Sequence, residues 1–348
     1  MNIYVLDKSL ERVGVIDSYA SIIWTNRYYT YGDFELYVRA TTHLIDMLQE
    51  DFYLIREGYE DNAMIIESIQ IQTDTENGNY LTIKGRCLKS IVYRRIIWEQ
   101  TTLAGQIETC MSRLLSENVI TPKLAIRKIS NFIIQSMVKT GIYMEGQYTG
   151  NNLGETLTEI CQSYGVGWDV KLDLERKMFL FVLYMGTDRS YSQEIVPWVV
   201  FSNDYENLLT TNYTYDKSNY KNVARVAGEG EGVTRRFLTV GEASELTRRE
   251  LFIDARDISS NEGELNEAEY NAQLQQRGVE KLAEQTDAQN FEGETVDYTY
   301  KYGEDYFLGD IVEVVNEYGM EARTRVIEVI ESEDGSGKYT IPTFSSYI

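Results

Sequence analysis

What most restricts this chain is a hydrophobic period that switches twice. Through the first 100 residues apolar and polar side chains alternate, as in Phe34-Glu35-Leu36-Tyr37-Val38 after the turn Tyr31-Gly32-Asp33. A period of two is the mark of a half-buried strand. Short strands are expected at residues 2–6, 13–16, 21–25, 34–38, 52–56, 63–73 and 80–86. The last two flank an Asn-Gly hairpin turn at 74–79, and one short helix capped by Thr41 or Thr42 carries Leu44, Ile45 and Leu48 on one face. The spacing then changes. Leu103, Ile107, Met111, Leu114 and Leu115 predict a helix over 102–117, and Leu157, Ile160 and Cys161 predict another over 153–164, stopped by Gly165. A hairpin at 167–172 and 178–184 follows. From Trp198 the strand period returns at 199–201, 208–216, 222–227, 294–302, 311–316, 322–331 and 338–341.

This pattern predicts a mostly β, α+β chain in three parts. Residues 1–100 and 196–348 are sheet units, with a small α+β domain at 101–195 between them. At 348 residues this agrees with domains of about 100–200 residues each. A polar helix near 266–285 breaks the last part. Its apolar stripe, Leu274, Val279, Leu282 and Ala283, is thin, so it is expected on a surface or against a partner.

The stretch Val226-Ala227-Gly228-Glu229-Gly230-Glu231-Gly232-Val233-Thr234-Arg235-Arg236 poses a phosphate-loop question. Such loops aim backbone N–H groups at an anion and add a lysine or a helix N-terminus. Here Glu229 and Glu231 would repel an anion, and no Gly-Lys-Ser/Thr follows. Gly228, Gly230 and Gly232 therefore read as a turn or bulge at a strand end. Gly335-Ser336-Gly337-Lys338 fails the same test, since Tyr339 follows it and Ser332 replaces the earlier glycine.

Catalytic and metal motifs are missing. His43 is the sole histidine and lies in a helical pattern without a nucleophile motif. Cys87, Cys110 and Cys161 share no metal spacing and read as reduced, buried thiols. No cofactor and no enzymatic activity are expected. Neither a signal peptide at the first residues nor a run of 18 apolar residues is present, so no membrane-spanning segment is expected.

Charge is uneven along the chain. The formal net charge is −22, and residues 250–334 hold 23 acidic and 6 basic side chains. Residues 84–128 hold 9 basic and 3 acidic ones. So acidic a chain does not bind nucleic acid stably, because that affinity comes from neutralising phosphates. On composition such a surface reads as a solvated, solubilising face, and it can also face DNA that slides past without sticking.

Five stretches together resemble one family. Residues 26–37 (Asn-Arg-Tyr-Tyr-Thr-Tyr-Gly-Asp-Phe-Glu-Leu-Tyr), 226–235, 248–257, Leu308-Gly309-Asp310-Ile311-Val312 and Ile341-Pro342-Thr343-Phe344 are similar, in order, to blocks of the siphovirus Gp37-like tail proteins. The resemblance implies a phage tail-tip or baseplate hub: two tube-like β-barrel domains per subunit in a homotrimer, forming a pseudo-sixfold ring that ends the hexameric tail tube in a threefold tip. Implied partners are the distal tail protein, the tail tube protein, the tape measure protein and a fibre or spike. The implied location is the tail tip of a virion assembled in the bacterial cytoplasm. The C-terminal host-binding or wall-digesting extension of many relatives is not expected after the last block.

On that reading the glycines 228, 230 and 232 shape a barrel-end loop, and Arg235 or Arg236 pairs with acids across an interface. Gly309 before Asp310 is expected to take φ > 0 or admit a close backbone. Glu294, Asp297, Glu313 and Glu328 are candidate channel-lining acids, with Glu313 and Val315 on the face opposite Val312 and Val314. Two rivals stand beside it. One is a tail-associated cell-wall hydrolase using an acid pair. The other is a carbohydrate-binding module, suggested by 27 tyrosines and 4 tryptophans.

Overall fold

The computed structural model describes all residues except 77, 209–211, 262–264, 286–287, 293–294, 296–298 and 347–348. The first unit holds β1 (Ile3–Leu6), β2 (Arg12–Ile16), β3 (Ser21–Arg27), β4 (Asp33–Arg39), α1 (Thr42–Met47), β5 (Tyr53–Arg56), β6 (Tyr59–Asp74), β7 (Gly78–Cys87) and α2 (Ser90–Tyr93). In α1 the Thr41 hydroxyl accepts from Leu44 N at 3.2 Å, which satisfies one orphan donor of the first turn. The alternation of β4 places Phe34, Leu36 and Val38 inward among Ile22, Trp24, Leu81 and Ile83.

The second unit comprises β8 (Thr101–Gln106), α3 (Ile107–Leu115), β9 (Phe132–Met137), β10 (Tyr143–Tyr148), α4 (Leu153–Tyr164), β11 (Gly167–Asp173) and β12 (Met178–Tyr184). The helix expected over 102–117 begins only at Ile107, since Thr101–Gln106 pairs as a strand with β10. Leu103 fits both periods, and the β-branched pair Thr101-Thr102 together with Gly105 at φ +152° favours the extended one. Helix α4 ends at Gly165, in the left-handed region at φ 65°. The core of this unit is continuous with Leu6, Leu10, Ile55, Ala63 and Ile65 of the first sheet. Apolar side chains of the two units thus pack in one continuous cluster.

The remainder contains β13 (Val200–Ser202), β14 (Asn212–Asp216), β15 (Val223–Ala227), β16 (Phe237–Val240), β17 (Glu250–Asp254), α5 (Glu267–Ala283), β18 (Ala288–Glu292), β19 (Ile311–Val315), β20 (Glu321–Asp334) and β21 (Gly337–Ser346). The strand expected over 294–302 is not formed at 299–302; β18 precedes it, and 294 and 296–298 lie outside the described residues. Strands β16, β15 and β17 form a small sheet, and α5 packs on it and on α4 and β10. The thin stripe of α5 is thus covered within the chain. Tyr270, Leu274 and Gly278 are buried on it, together with the polar Gln273, Gln276, Arg277 and Glu280.

Everything turns on β20. The main sheet runs β14-β18-β21-β20-β3-β4-β7-β6-β5-β1-β2, with β19 also on β20 and β13 on β19. One edge of β20 pairs with β21. The other takes β19 at Glu321–Arg325 and then β3 at Glu328–Asp334. A bulge between Val326 and Glu328 marks the changeover, where Tyr28 N donates to Ile327 O at 2.9 Å. The N-terminal and C-terminal sheet units therefore lie side by side in one 13-stranded sheet. Among the described residues that order stays open between β2 and β14, so the pairings give one long sheet rather than two closed barrels.

Candidate functional site

The β20 changeover is also where the chain's three parts meet. Tyr28, fully buried just past β3, is the centre of that junction. Its hydroxyl donates to Gly165 O at 3.2 Å, and Arg325 Nη1 donates both to that hydroxyl (3.2 Å) and to Gly309 O (3.0 Å). Its ring meets Tyr184 edge-on at 5.4 Å. A Cβ on Gly167 would fall 2.1 Å from the ring, and one on Gly309 2.2 Å from it. Glycine is required at both positions because the phenol fills the space a side chain would take. One residue thus ties the end of β3 to the ends of α4 and β12 and to Arg325 of β20.

Asp310 clamps the adjoining linker. Its carboxylate accepts from Thr187 N (2.7 Å), Arg189 Nε (2.8 Å) and Phe307 N (3.1 Å), and it is 2% exposed. A buried carboxylate is tolerated only when so fully paired. Gly309 itself has φ +90°. On the other side Lys89, buried, donates to the carbonyls of Arg27, Tyr28 and Thr30 at 2.7–3.1 Å. Burial pushes its ammonium pKa down, opposed by the Asp169 charge. Arg27 completes the ring of contacts, pairing with Glu328 at 2.5 Å and with Asp33. A cavity of about 670 Å³ opens beside these residues, lined in part by Arg56, Asp61, Asp169, Lys171 and Tyr302.

The glycine-rich loop lies elsewhere, as the connection between β15 and β16. Gly230 has φ +97° and Gly232 φ +53°, and a Cβ on Gly228 would meet the Tyr270 hydroxyl at 2.3 Å. That hydroxyl accepts from Glu229 N at 2.8 Å, so the loop is fastened to α5. Arg235 donates to Asp254 (2.7 Å), Gly228 O (3.1 Å) and Ala227 O (2.9 Å), while Arg236 lies 3.8 Å from Glu229. Both arginines have an acid within the chain; for Arg235 this follows from β15 and β17 running parallel, which brings Asp254 level with Ala227.

Of the candidate channel acids, Glu294 and Asp297 lie outside the described residues. Glu313 is half-buried and accepts from Tyr191 N at 3.1 Å, while Val312 and Val314 are buried on the other face. Glu328 is held by Arg27, which neutralises it at the seam.

Sequence reasoning missed Tyr28, Lys89 and Arg325. Tyr28 lies within the stretch 26–37, and Arg325 carries a signal: a charge on a strand between Thr324 and Val326.

The contacts at this junction hold the parts of the chain together. His43 is exposed on α1. Burial pushes the Cys87 and Cys110 thiols up to about 11, which disfavours a reactive thiolate. Among the described residues no group of three or more His, Cys, Asp or Glu side chains could hold a metal, and no helix is long and apolar enough to cross a membrane.

Comparison with known proteins places this fold. The tail protein from Neisseria meningitidis MC58 is 13% identical with a TM-score of 0.59, over 99% of this chain and 96% of that one. The prophage MuSo2 43 kDa tail protein from Shewanella oneidensis is 14% identical with a TM-score of 0.59, over 99% and 98%. The prophage tail protein gp18 from Listeria monocytogenes EGD-e is 13% identical with a TM-score of 0.54, over 100% and 95%. At that identity the likeness is one of fold. No curated protein is significantly similar in sequence. The family model described as "Siphovirus ReqiPepy6 Gp37-like protein" matches residues 2–344, and the chain belongs to that family of phage tail proteins.

Proposed function

We propose that this protein is the hub of a phage tail tip or baseplate. In this reading it is a homotrimer whose ring closes the tail tube, converts sixfold to threefold symmetry and surrounds a channel for DNA and the tape measure protein. The observation that carries it is the β20 seam. One strand pairs with β19 and then with β3 on the same edge, so each chain sets two sheet units side by side. Three copies would present six such units, and the two tube-like barrels would be completed by curvature and by neighbouring copies. The distal tail protein, the tail tube protein, the tape measure protein and a fibre or spike are the neighbours this role requires.

The acidic C-terminal part suits the role as well. A wall that does not neutralise phosphates lets DNA pass without a counterion-release penalty on leaving. Glu313, Glu294 and Asp297 are the proposed channel acids, with Glu328 contributing less because Arg27 holds it.

Native mass measurement tests the reading. The expected particle is three times the 40.2 kDa chain. A species that stays monomeric at tens of micromolar would overturn the hub role.

A further inference from the structure

Two exposed patches on this chain are complementary to each other. The first lies on the second unit, where the single-turn helix at Ala125–Arg127 holds Ile126 out to solvent, 93% exposed. Beside it Arg127 lies over the Trp98 ring at 4.8 Å and donates to Ile96 O at 2.7 Å, and Arg95 donates to Arg127 O at 3.3 Å. Most of the basic region is already paired within the chain: Lys84 with Glu35, Arg86 with Glu67, Arg113 with Glu117, Lys123 with Glu99. Among the described residues no ion pair engages Arg95, Arg127 or Lys128. This leaves a positive patch around an exposed isoleucine and tryptophan.

The second patch lies beyond the junction, on the segment that follows β12. Gln193 ties a tight turn by accepting from Ile195 N (2.7 Å) and Val196 N (2.9 Å), and its carbonyl accepts from Trp198 Nε1 at 2.7 Å. That turn holds Ile195 out, 92% exposed. Trp198 packs edge-on against Tyr191 at 5.1 Å, with Tyr205 close by. Nearby arginines are taken, Arg189 by Asp310 and Arg323 by Asp188. Among the described residues no ion pair engages Glu194 or Glu321. This patch is apolar and aromatic with a negative rim.

We infer that the Ile195–Trp198 patch of one copy docks on the Ile126–Trp98 patch of the next, and that this contact closes the ring. It rests on the trimeric hub reading. Each patch has an aliphatic tip on a backbone fixed by hydrogen bonds, so little entropy is lost on docking. Each has a tryptophan, a residue enriched where interfaces draw their energy. Their unpaired charges are opposite in sign, which sets register and rejects a like-on-like contact. A contact between two different patches of one chain is heterologous and generates a ring when the rotation closes.

The test is sedimentation of the full chain across a dilution series. Ile126→Asp and Ile195→Asp change fully exposed side chains, so unchanged circular dichroism and melting are expected. Each should weaken assembly about tenfold or more, the equivalent of about 1.4 kcal/mol per factor of ten. Lys128→Glu and Glu194→Lys should each weaken it, and their combination should restore most of the loss. An assembly indifferent to both aspartate variants overturns the inference and leaves the hub reading standing. Weakened single variants with no recovery in the double show that each patch meets some other surface, which also overturns it. A monomeric wild type sinks the hub reading and this contact together.

Discussion

Tyr28 and Arg325 lie 297 positions apart, and the Arg325 guanidinium donates to the Tyr28 hydroxyl at 3.2 Å while its carbon sits 5.2 Å from the ring centre. Both are buried. The pair crosses the line where β20 exchanges β19 for β3. Tyr28→Phe keeps the ring and removes a hydroxyl with two partners. It should cost about 1–3 kcal/mol, the penalty of stranding a buried donor. Tyr28→Ala should cost about 3–5 kcal/mol by leaving a large cavity. Urea denaturation of the three proteins measures both, and equal losses in the two variants would contradict this assignment.

Gly309 is strained against any side chain. Its φ is +90°, and a Cβ there would overlap the Tyr28 ring at 2.2 Å. Gly309→Val should therefore destabilise by more than about 3 kcal/mol, adding overpacking to backbone strain. Gly319, at φ +73° with open space around it, is the control. Gly319→Ala should cost only about 1 kcal/mol. Comparable melting of the two variants would be the adverse result.

Glu280 is a buried acid on α5. Its Oε1 accepts from Tyr148 at 2.5 Å and from Gln276 at 2.9 Å, and its Oε2 has no partner. Burial raises its pKa, only partly offset by these hydrogen bonds and by Arg277. A carboxyl raised in the folded state binds its proton more tightly there than in the unfolded chain. Its contribution to stability is thus full below the ordinary Glu range and lost as pH rises through the folded value. Glu280→Gln should accordingly stabilise the protein near pH 8 by about 1 kcal/mol, with the gain fading towards pH 4. Melting curves across that range read the slope, and a gain that grows on acidification would refute it.

Arg27 bridges β3 to β20 through Glu328 and to β4 through Asp33. Losing one acid leaves the other, whereas losing the arginine leaves two carboxylates facing each other. Glu328→Gln is expected to cost about 1 kcal/mol and Arg27→Met about 3 kcal/mol. A double-mutant cycle of Arg27 with Glu328 should return a coupling of about 1 kcal/mol or more. A coupling of zero would mean the pair contributes nothing at the seam.

The sequence by itself determined the local elements and the class of fold. Strict alternation in β4 and β11, the Thr41 cap of α1 and the Gly165 stop of α4 are set by neighbours within a few residues, so they are legible without tertiary information. Where two periods overlapped, at Thr101–Gln106, only pairing with β10 settled the outcome in favour of a strand. The thin stripe of α5 also misled. Its buried polar residues, Gln276, Arg277 and Glu280, take partners from other elements, Tyr164, Asp257 and Tyr148. The family itself was legible, because ordered blocks such as Leu308-Gly309-Asp310 are short and contiguous. What only the tertiary structure decided is the junction. Tyr28 with Arg325, Lys89 with the carbonyls of Arg27, Tyr28 and Thr30, and Asp310 with Arg189 each join residues dozens to hundreds of positions apart. Period and propensity act over one or two turns of chain. Burying a charge depends on which distant groups arrive beside it.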